Sequence, residues 1–144
     1  MNIQYISTIQ PNIEATPHYT PILGGYIPAG FPSPAEQYQQ DKLDLNEYVI
    51  KHPSATYFAW AKGNSMEGVG IFDGDLLVID RSLSAKNQDV VIAAVDGDLT
   101  CKRLNSYKQQ LEFVLLDQSI QVIPKTEEIT IEGVVIGSFR AHRT

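Results

Sequence analysis

Asp89-Val90-Val91-Ile92-Ala93-Ala94-Val95-Asp96-Gly97-Asp98-Leu99-Thr100-Cys101-Lys102-Arg103-Leu104 is the stretch that decides the fold. Two runs rich in β-branched and apolar residues flank Asp96-Gly97, a dipeptide that tolerates the positive φ of a tight hairpin turn. The stretch therefore reads as two antiparallel strands, Asp89 to Val95 and Leu99 to Leu104. Outward from it, similar short runs recur at Tyr57 to Ala61, Leu76 to Asp80, Leu111 to Leu116, Gln121 to Ile123 and Ile129 to Phe139. Asp73-Gly74-Asp75 is expected to form a second turn of the same kind. The expected fold is mostly β: a compact antiparallel β-domain with two short helices at its front and an extended N-terminal arm before it.

The helices are read from their starts. Ser33-Pro34-Ala35-Glu36 has a Ser N-cap, a Pro at the first helical position and a Glu three residues after the cap. Asp44 followed by Glu47 repeats the arrangement ahead of Leu45, Tyr48, Val49 and Ile50, and Pro53 is expected to stop that helix near His52. Each helix is expected to run two or three turns.

The arm is set apart by composition. Glu14 is the single charge of the first 29 residues, all other charges lie at or after Glu36, and six of the eight prolines fall within the first 34 positions. Such a segment is neither a regular helix nor a central strand. Ile22, Leu23, Tyr26, Ile27 and Phe31 nevertheless give it apolar content, which fits an extended arm lying on a surface, with a disordered tail as the alternative.

Composition narrows function. A chain of 144 residues, 43% hydrophobic and 19% charged, is expected to fold as one domain, with or without a tail. A formal charge of -6 has the wrong sign for gripping phosphate backbones, so direct specific DNA binding is not expected. One cysteine, Cys101, makes no internal disulfide, and His18, His52 and His142 are too scattered for a zinc site, so neither metal nor cofactor is expected. No apolar run approaches the roughly 18 residues of a membrane span. MNIQYISTIQPNIE lacks the basic and apolar regions of a signal peptide, and a reducing cytoplasm is the expected compartment.

Ser65 is the residue with chemical promise. It sits in Lys62-Gly63-Asn64-Ser65-Met66-Glu67-Gly68, after a strand and between glycines that let the chain turn sharply. There its own amide and those of Asn64 and Met66 can face an oxyanion. A plain polar turn is the alternative reading. No histidine has an obvious place as its base. Lys102 is the other choice, because strand alternation puts it on one face with Thr100 and Leu104, opposite Cys101 and Arg103. If that face is inward, burial disfavours the ammonium and brings the pKa toward about 7 to 8, where lysine works as a base. The alternative is an exposed Lys102-Arg103 pair on an edge strand, and Lys62 is a rival base in a poor position for full burial.

Several blocks, in order and with compatible spacing, resemble one family: Ala29-Gly30-Phe31-Pro32-Ser33-Pro34-Ala35, Leu43-Asp44-Leu45-Asn46, His52-Pro53-Ser54-Ala55-Thr56-Tyr57-Phe58, Gly63-Asn64-Ser65-Met66, Asp73-Gly74-Asp75-Leu76-Leu77-Val78 and Val91-Ile92-Ala93-Ala94-Val95-Asp96-Gly97. They resemble the UmuD-like proteins among the LexA-type self-cleaving serine peptidases (peptidase S24), from about Gly24 to the C-terminus. The resemblance implies that Ser65 is the nucleophile, Lys102 the base and Ala29-Gly30 the scissile bond. It further implies an arm of residues 1–29 removed by self-cleavage and a peptidase and dimerisation domain of residues 30–144. Where the best-known member has Cys before the scissile Gly, Ala29 stands here, as in LexA repressors; both are small. Residues 1 to about 20 match nothing in the family.

By the same resemblance, the expected role is in the DNA-damage (SOS) response. A RecA filament on single-stranded DNA would stimulate cleavage, and the processed homodimer would serve a Y-family translesion polymerase subunit, UmuC-like, in error-prone synthesis. Three other readings compete with this one. A self-cleaving repressor needs a DNA-binding domain that 29 proline-rich residues cannot supply. A non-cleaving interaction module would act on a polymerase or related SOS proteins by dimer exchange. A trans-acting endopeptidase like signal peptidases would need a membrane anchor and an open cleft.

Overall fold

The computed structural model describes residues 16–35, 38–124 and 128–143. It divides the chain into two compact units, Glu14–Lys51 and a body that begins at His52.

In the first unit, strands β1 (Tyr19–Leu23) and β2 (Gln40–Asp44) form a two-stranded antiparallel sheet. Tyr19 faces Asp44 and Leu23 faces Gln40. Pro21 fits because both strands are edges, where a missing N–H need not cost a ladder bond. The proline-rich segment is thus more regular than an arm without partners: composition shows where a central strand cannot be, but not that β2 lies opposite. Helix α1 (Leu45–Val49) follows at once, with the Asp44 side chain accepting from Asn46 N–H as its cap. It ends at Ile50, short of the expected His52, and Pro53 instead opens a 3₁₀ turn, Pro53–Ala55.

The first expected helix does not continue past residue 37: Tyr38 and Gln39 are not helical, and Tyr38 N–H donates to Ala35 O at 3.1 Å. Its capping partner Glu36 lies outside the described residues. Ser33 Oγ hydrogen-bonds with Tyr38 Oη, and Tyr38 Oη also donates to Tyr26 O at 3.2 Å. One tyrosine hydroxyl thereby draws together the two limbs of the loop that carries Ala29 and Gly30.

The body is a seven-stranded antiparallel sheet in the order β3-β4-β9-β5-β6-β7-β8. The strands are β3 (Thr56–Trp60), β4 (Leu76–Asp80), β5 (Val90–Val95), β6 (Asp98–Asn105), β7 (Gln110–Val114), β8 (Ile120–Pro124) and β9 (Ile129–Phe139). The β5–β6 hairpin closes through Asp96 and Gly97, at φ 50° and 85°, as the dipeptide demands. Asp73-Gly74 plays another part. The β3–β4 pairing runs on through Ala61 N–H to Asp75 O at 2.8 Å, and the chain between them makes a long excursion. Gly74, at φ 86°, turns one limb of that excursion.

Strand β9 holds the body together. Its second half pairs with β4 and its first half with β5, and Val134 faces both Asp80 and Val91. A bulge in each pairing bends the strand between its neighbours. Gly133 is required there, since a Cβ would stand 2.5 Å from Ile79 Cγ2. Two cores result. Tyr57, Met66, Ile71, Leu77, Ile79 and Ile92 form one, and Val91, Ala93, Leu104, Leu111, Ile129 and Val134 the other. Strand β5 sends alternate residues to both, which explains why its sequence is apolar without interruption.

Candidate active site

The excursion between β3 and β4 carries Ser65. Gly63, at φ 94°, starts it and donates its N–H to Asp73 Oδ1 at 2.7 Å. Met66 then turns into the first core, 3% exposed, and its carbonyl accepts from Val69 and Ile71. A 3₁₀ turn, Glu67–Val69, presses against the end of β7 so closely that a Cβ on Gly68 would meet Leu115 O at 2.3 Å. Ser65 O accepts the N–H of Val114 at 3.0 Å. The serine is therefore fixed through its own carbonyl and through its neighbour's side chain. Among the described residues, no acceptor takes the N–H of Asn64, Ser65 or Met66.

Lys102 comes from β6, opposite Val91 of β5. It is 4% exposed, and Nζ donates to Thr100 Oγ1 at 2.5 Å and to Cys101 O at 2.9 Å. The Thr100 bond follows from strand alternation, which places residues i and i+2 on one face. Burial holds the Lys102 ammonium below the usual lysine range, with Cys101 pulling the other way. The Cys101 thiol is itself pushed up to about 11 by burial, which makes it a poor nucleophile at neutral pH.

Ser65 and Lys102 line one cleft of about 390 Å³. Its walls are largely apolar, with Tyr57, Ala59 and Ala61 from the inner face of the β3 segment and Ile79 and Ile92 behind. Lys62 also lines it but is exposed. None of the histidines does. His18, His52 and His142 are all exposed, and His52 places Nδ1 against the buried Asp80. The groups in this cleft suit acyl transfer: a hydroxyl, a desolvated amine and free amides beside the hydroxyl. Ala29 and Gly30 lie in the other unit, both exposed, in the loop between β1 and β2.

Two features escaped the sequence reading. Phe113 of β7 stands with its ring 4.0 Å, centroid to atom, from Lys102 Nζ. Arg103, opposite Glu112, donates to Glu112 Oε1 through Nε at 3.1 Å and Nη2 at 3.0 Å, a cross-strand clamp on β6 and β7. Neither pair has a local signal, since the partners are 9 or more residues apart and depend on register.

Residues 21–136 match the model of the Peptidase S24-like family. The chain belongs to the peptidase S24 family. Its relatives include Protein MucA of Salmonella typhimurium, 41% identical over 128 residues, 87% of each chain. Protein SamA of the LT2 strain of that organism is 39% identical over 127 residues, 88% of this chain and 89% of its own. The LexA repressor of Actinobacillus pleuropneumoniae is 38% identical over 120 residues, 81% of this chain but 56% of the repressor. The protein is thus a UmuD-like S24 member, and peptidase activity in general comes with the family. Among the described residues, no helix of this S24 member is long and apolar enough to cross a membrane.

Proposed function

We propose that this protein is an SOS-response peptidase that cuts its own backbone between Ala29 and Gly30. The observation that carries the reading is the shared cleft: Ser65, on a loop held by Val114, and the buried Lys102 line the same cavity. Neutral Lys102 takes the Ser65 proton as Oγ bonds to the Ala29 carbonyl carbon. The oxyanion faces amides of Asn64, Ser65 and Met66. The Ala29–Gly30 C–N bond then breaks, the Gly30 amine leaves with the proton from the Lys102 ammonium, and water hydrolyses the acyl-enzyme. The exposure of Ala29 and Gly30, with nothing within 4 Å of where a Gly30 Cβ would be, supports an accessible scissile bond.

Cutting there separates β1 from β2, which lie on opposite sides of the bond. The residues lost, 1–29, carry Glu14 as their only charge, so processing changes which apolar surface is covered rather than the protein's field. A RecA filament on single-stranded DNA stimulates the reaction by favouring the cleavable pose, by population shift. The product, residues 30–144, acts in the cytoplasm as a homodimer that supports a UmuC-like Y-family translesion polymerase.

Intact-mass spectrometry tests the reading. Wild type is held at alkaline pH, and separately with RecA, ATP and single-stranded DNA, beside Ser65→Ala and Lys102→Ala. A fragment beginning at Gly30, absent from both variants, is the expected result. Wild type that stays whole under both conditions overturns it in favour of a non-cleaving interaction module.

A further inference from the structure

Strand β7 touches both members of the proposed dyad through adjacent residues. Its pairing with β6 stops at Arg103↔Glu112. One step further, the same register sets Phe113 opposite Lys102, and there a side-chain contact replaces the ladder: Nζ lies over the ring at 4.0 Å from its centroid. The next residue, Val114, gives its N–H to Ser65 O. Phe113 has little freedom to move away. Glu112 before it is clamped by Arg103, Asn105 and Gln110, and Val114 after it is buried.

We propose that Phe113 is a positioning residue for Lys102 that favours its ammonium form and so restrains self-cleavage at neutral pH. The inference rests on the reading of Lys102 as the general base. The negative face of an aromatic ring attracts a cation and not a neutral amine, so the contact favours the protonated state. It opposes burial, which favours the neutral one. Among the described residues, no carboxylate forms an ion pair with Lys102, so the ring supplies an attraction that no counter-charge supplies.

The other titratable groups that flank Lys102 in sequence or line the cleft with it leave this contrast clear. On β6 there is Cys101, its thiol pushed up to about 11 by burial. From β3, Tyr57 is pushed up to about 12, by burial first, with Glu132 adding and Arg81 opposing. Lys62 lines the cleft from the Ser65 loop, and the β5 register partner Val91 carries no charge. On β7, Glu112 alternates to the side away from Phe113 and is engaged with Arg103.

The test is a titration that needs no cleavage. Full-length Ser65→Ala protein, labelled with ε-13C lysine, is followed by NMR from about pH 6 to 11. The Lys102 signal is assigned by its loss in Ser65→Ala/Lys102→Met. Adding Phe113→Leu is expected to move its midpoint to lower pH by about 0.5 to 1.5 units, while Phe113→Trp keeps or raises it. With Ser65 restored, Phe113→Leu then cleaves about three- to thirty-fold faster at neutral pH, in proportion to the added neutral lysine. A purely structural role gives the opposite: slower cleavage and a fixed midpoint. If Phe113→Leu does not fold, pentafluorophenylalanine placed at 113 keeps the ring and reverses its quadrupole, and it is expected to shift the midpoint the same way. A midpoint that stays put or moves to higher pH overturns the role of Phe113 alone. Cleavage that survives in Lys102→Met overturns the dyad instead.

Discussion

His52 Nδ1 lies 2.5 Å from Asp80 Oδ2. Asp80, wholly buried at the end of β4, also accepts Ser82 N–H at 2.8 Å and Ser82 Oγ at 2.6 Å on its other oxygen. His52 in turn accepts Thr56 Oγ1 through its carbonyl at 2.7 Å. The pair therefore joins the turn that enters β3 to the end of β4, at the head of the body, and has no part in the cleft.

Acid stability follows from this carboxylate and from Glu112. Burial alone raises the Asp80 pKa, but hydrogen bonds from Ser82 and His52 outweigh it and the net effect is a lowered value. For Glu112, burial is likewise outweighed, by Gln110, Asn105 and Arg103. A carboxylate whose folded pKa is depressed contributes stability that is full above its unfolded value near 4 and is lost as pH falls through the folded one. Thermal melts are expected to drop below about pH 4. Asp80→Asn is expected to lose about 2 to 3 kcal/mol at neutral pH and to show a shallower acid drop. An acid profile equally steep in Asp80→Asn and Glu112→Gln would count against this assignment.

Gly68 is the point where the Ser65 loop meets β7. An added Cβ would stand 2.3 Å from Leu115 O, 2.5 Å from Val114 Cγ1 and 2.7 Å from Val114 O. Two of these are backbone atoms that cannot step aside without moving the strand. Gly68→Ala is expected to cost about 1 to 3 kcal/mol in urea unfolding and to slow self-cleavage beyond that loss, because Val114 no longer holds Ser65. Cleavage at the wild-type rate in a folded Gly68→Ala protein would show that the Val114–Ser65 bond does not position the serine.

Lys102 has a cost that depends on pH. Its folded pKa is lowered, so the unfolded chain binds the proton more readily and stability rises as pH climbs from the folded value toward about 10.4. Cys101, raised to about 11 in the fold, works in the opposite sense over the alkaline range. The informative quantity is therefore the difference between wild type and Lys102→Met. At neutral pH the variant is expected to be more stable by about 1 kcal/mol, and the gap is expected to close as pH rises. A gap that is constant or widens with pH, measured by denaturant unfolding, would mean that Lys102 is not held below its ordinary range.

Much of the body was legible in sequence because its signals are local. The runs Leu76 to Asp80 and Ile129 to Phe139 appear as strands with the expected bounds, and the remaining strand ends shift by at most a few residues. The apolar run Val90-Val91-Ile92-Ala93-Ala94-Val95 marks a strand buried on both faces. Legibility failed where a partner distant in sequence decides the outcome. Tyr19 to Leu23 becomes a strand only because Gln40 to Asp44 lies beside it, and Asp73-Gly74 turns a loop limb rather than a two-residue hairpin.

Alternation and turn chemistry act over a few residues, so the sequence by itself determined the β-class of the body, the Asp96-Gly97 hairpin and the sharing of one strand face by Thr100 and Lys102. The tertiary structure decided where that face points. The bulged strand β9 binds β4 and β5 on opposite edges, which sets the Ser65 loop and β6 around one cleft. The end of the β6–β7 ladder at Glu112 then leaves Phe113 for Lys102 and Val114 for Ser65. Register between distant segments is fixed by bulges, ladder ends and close packing at residues such as Gly68 and Gly133, and no local pattern carries those.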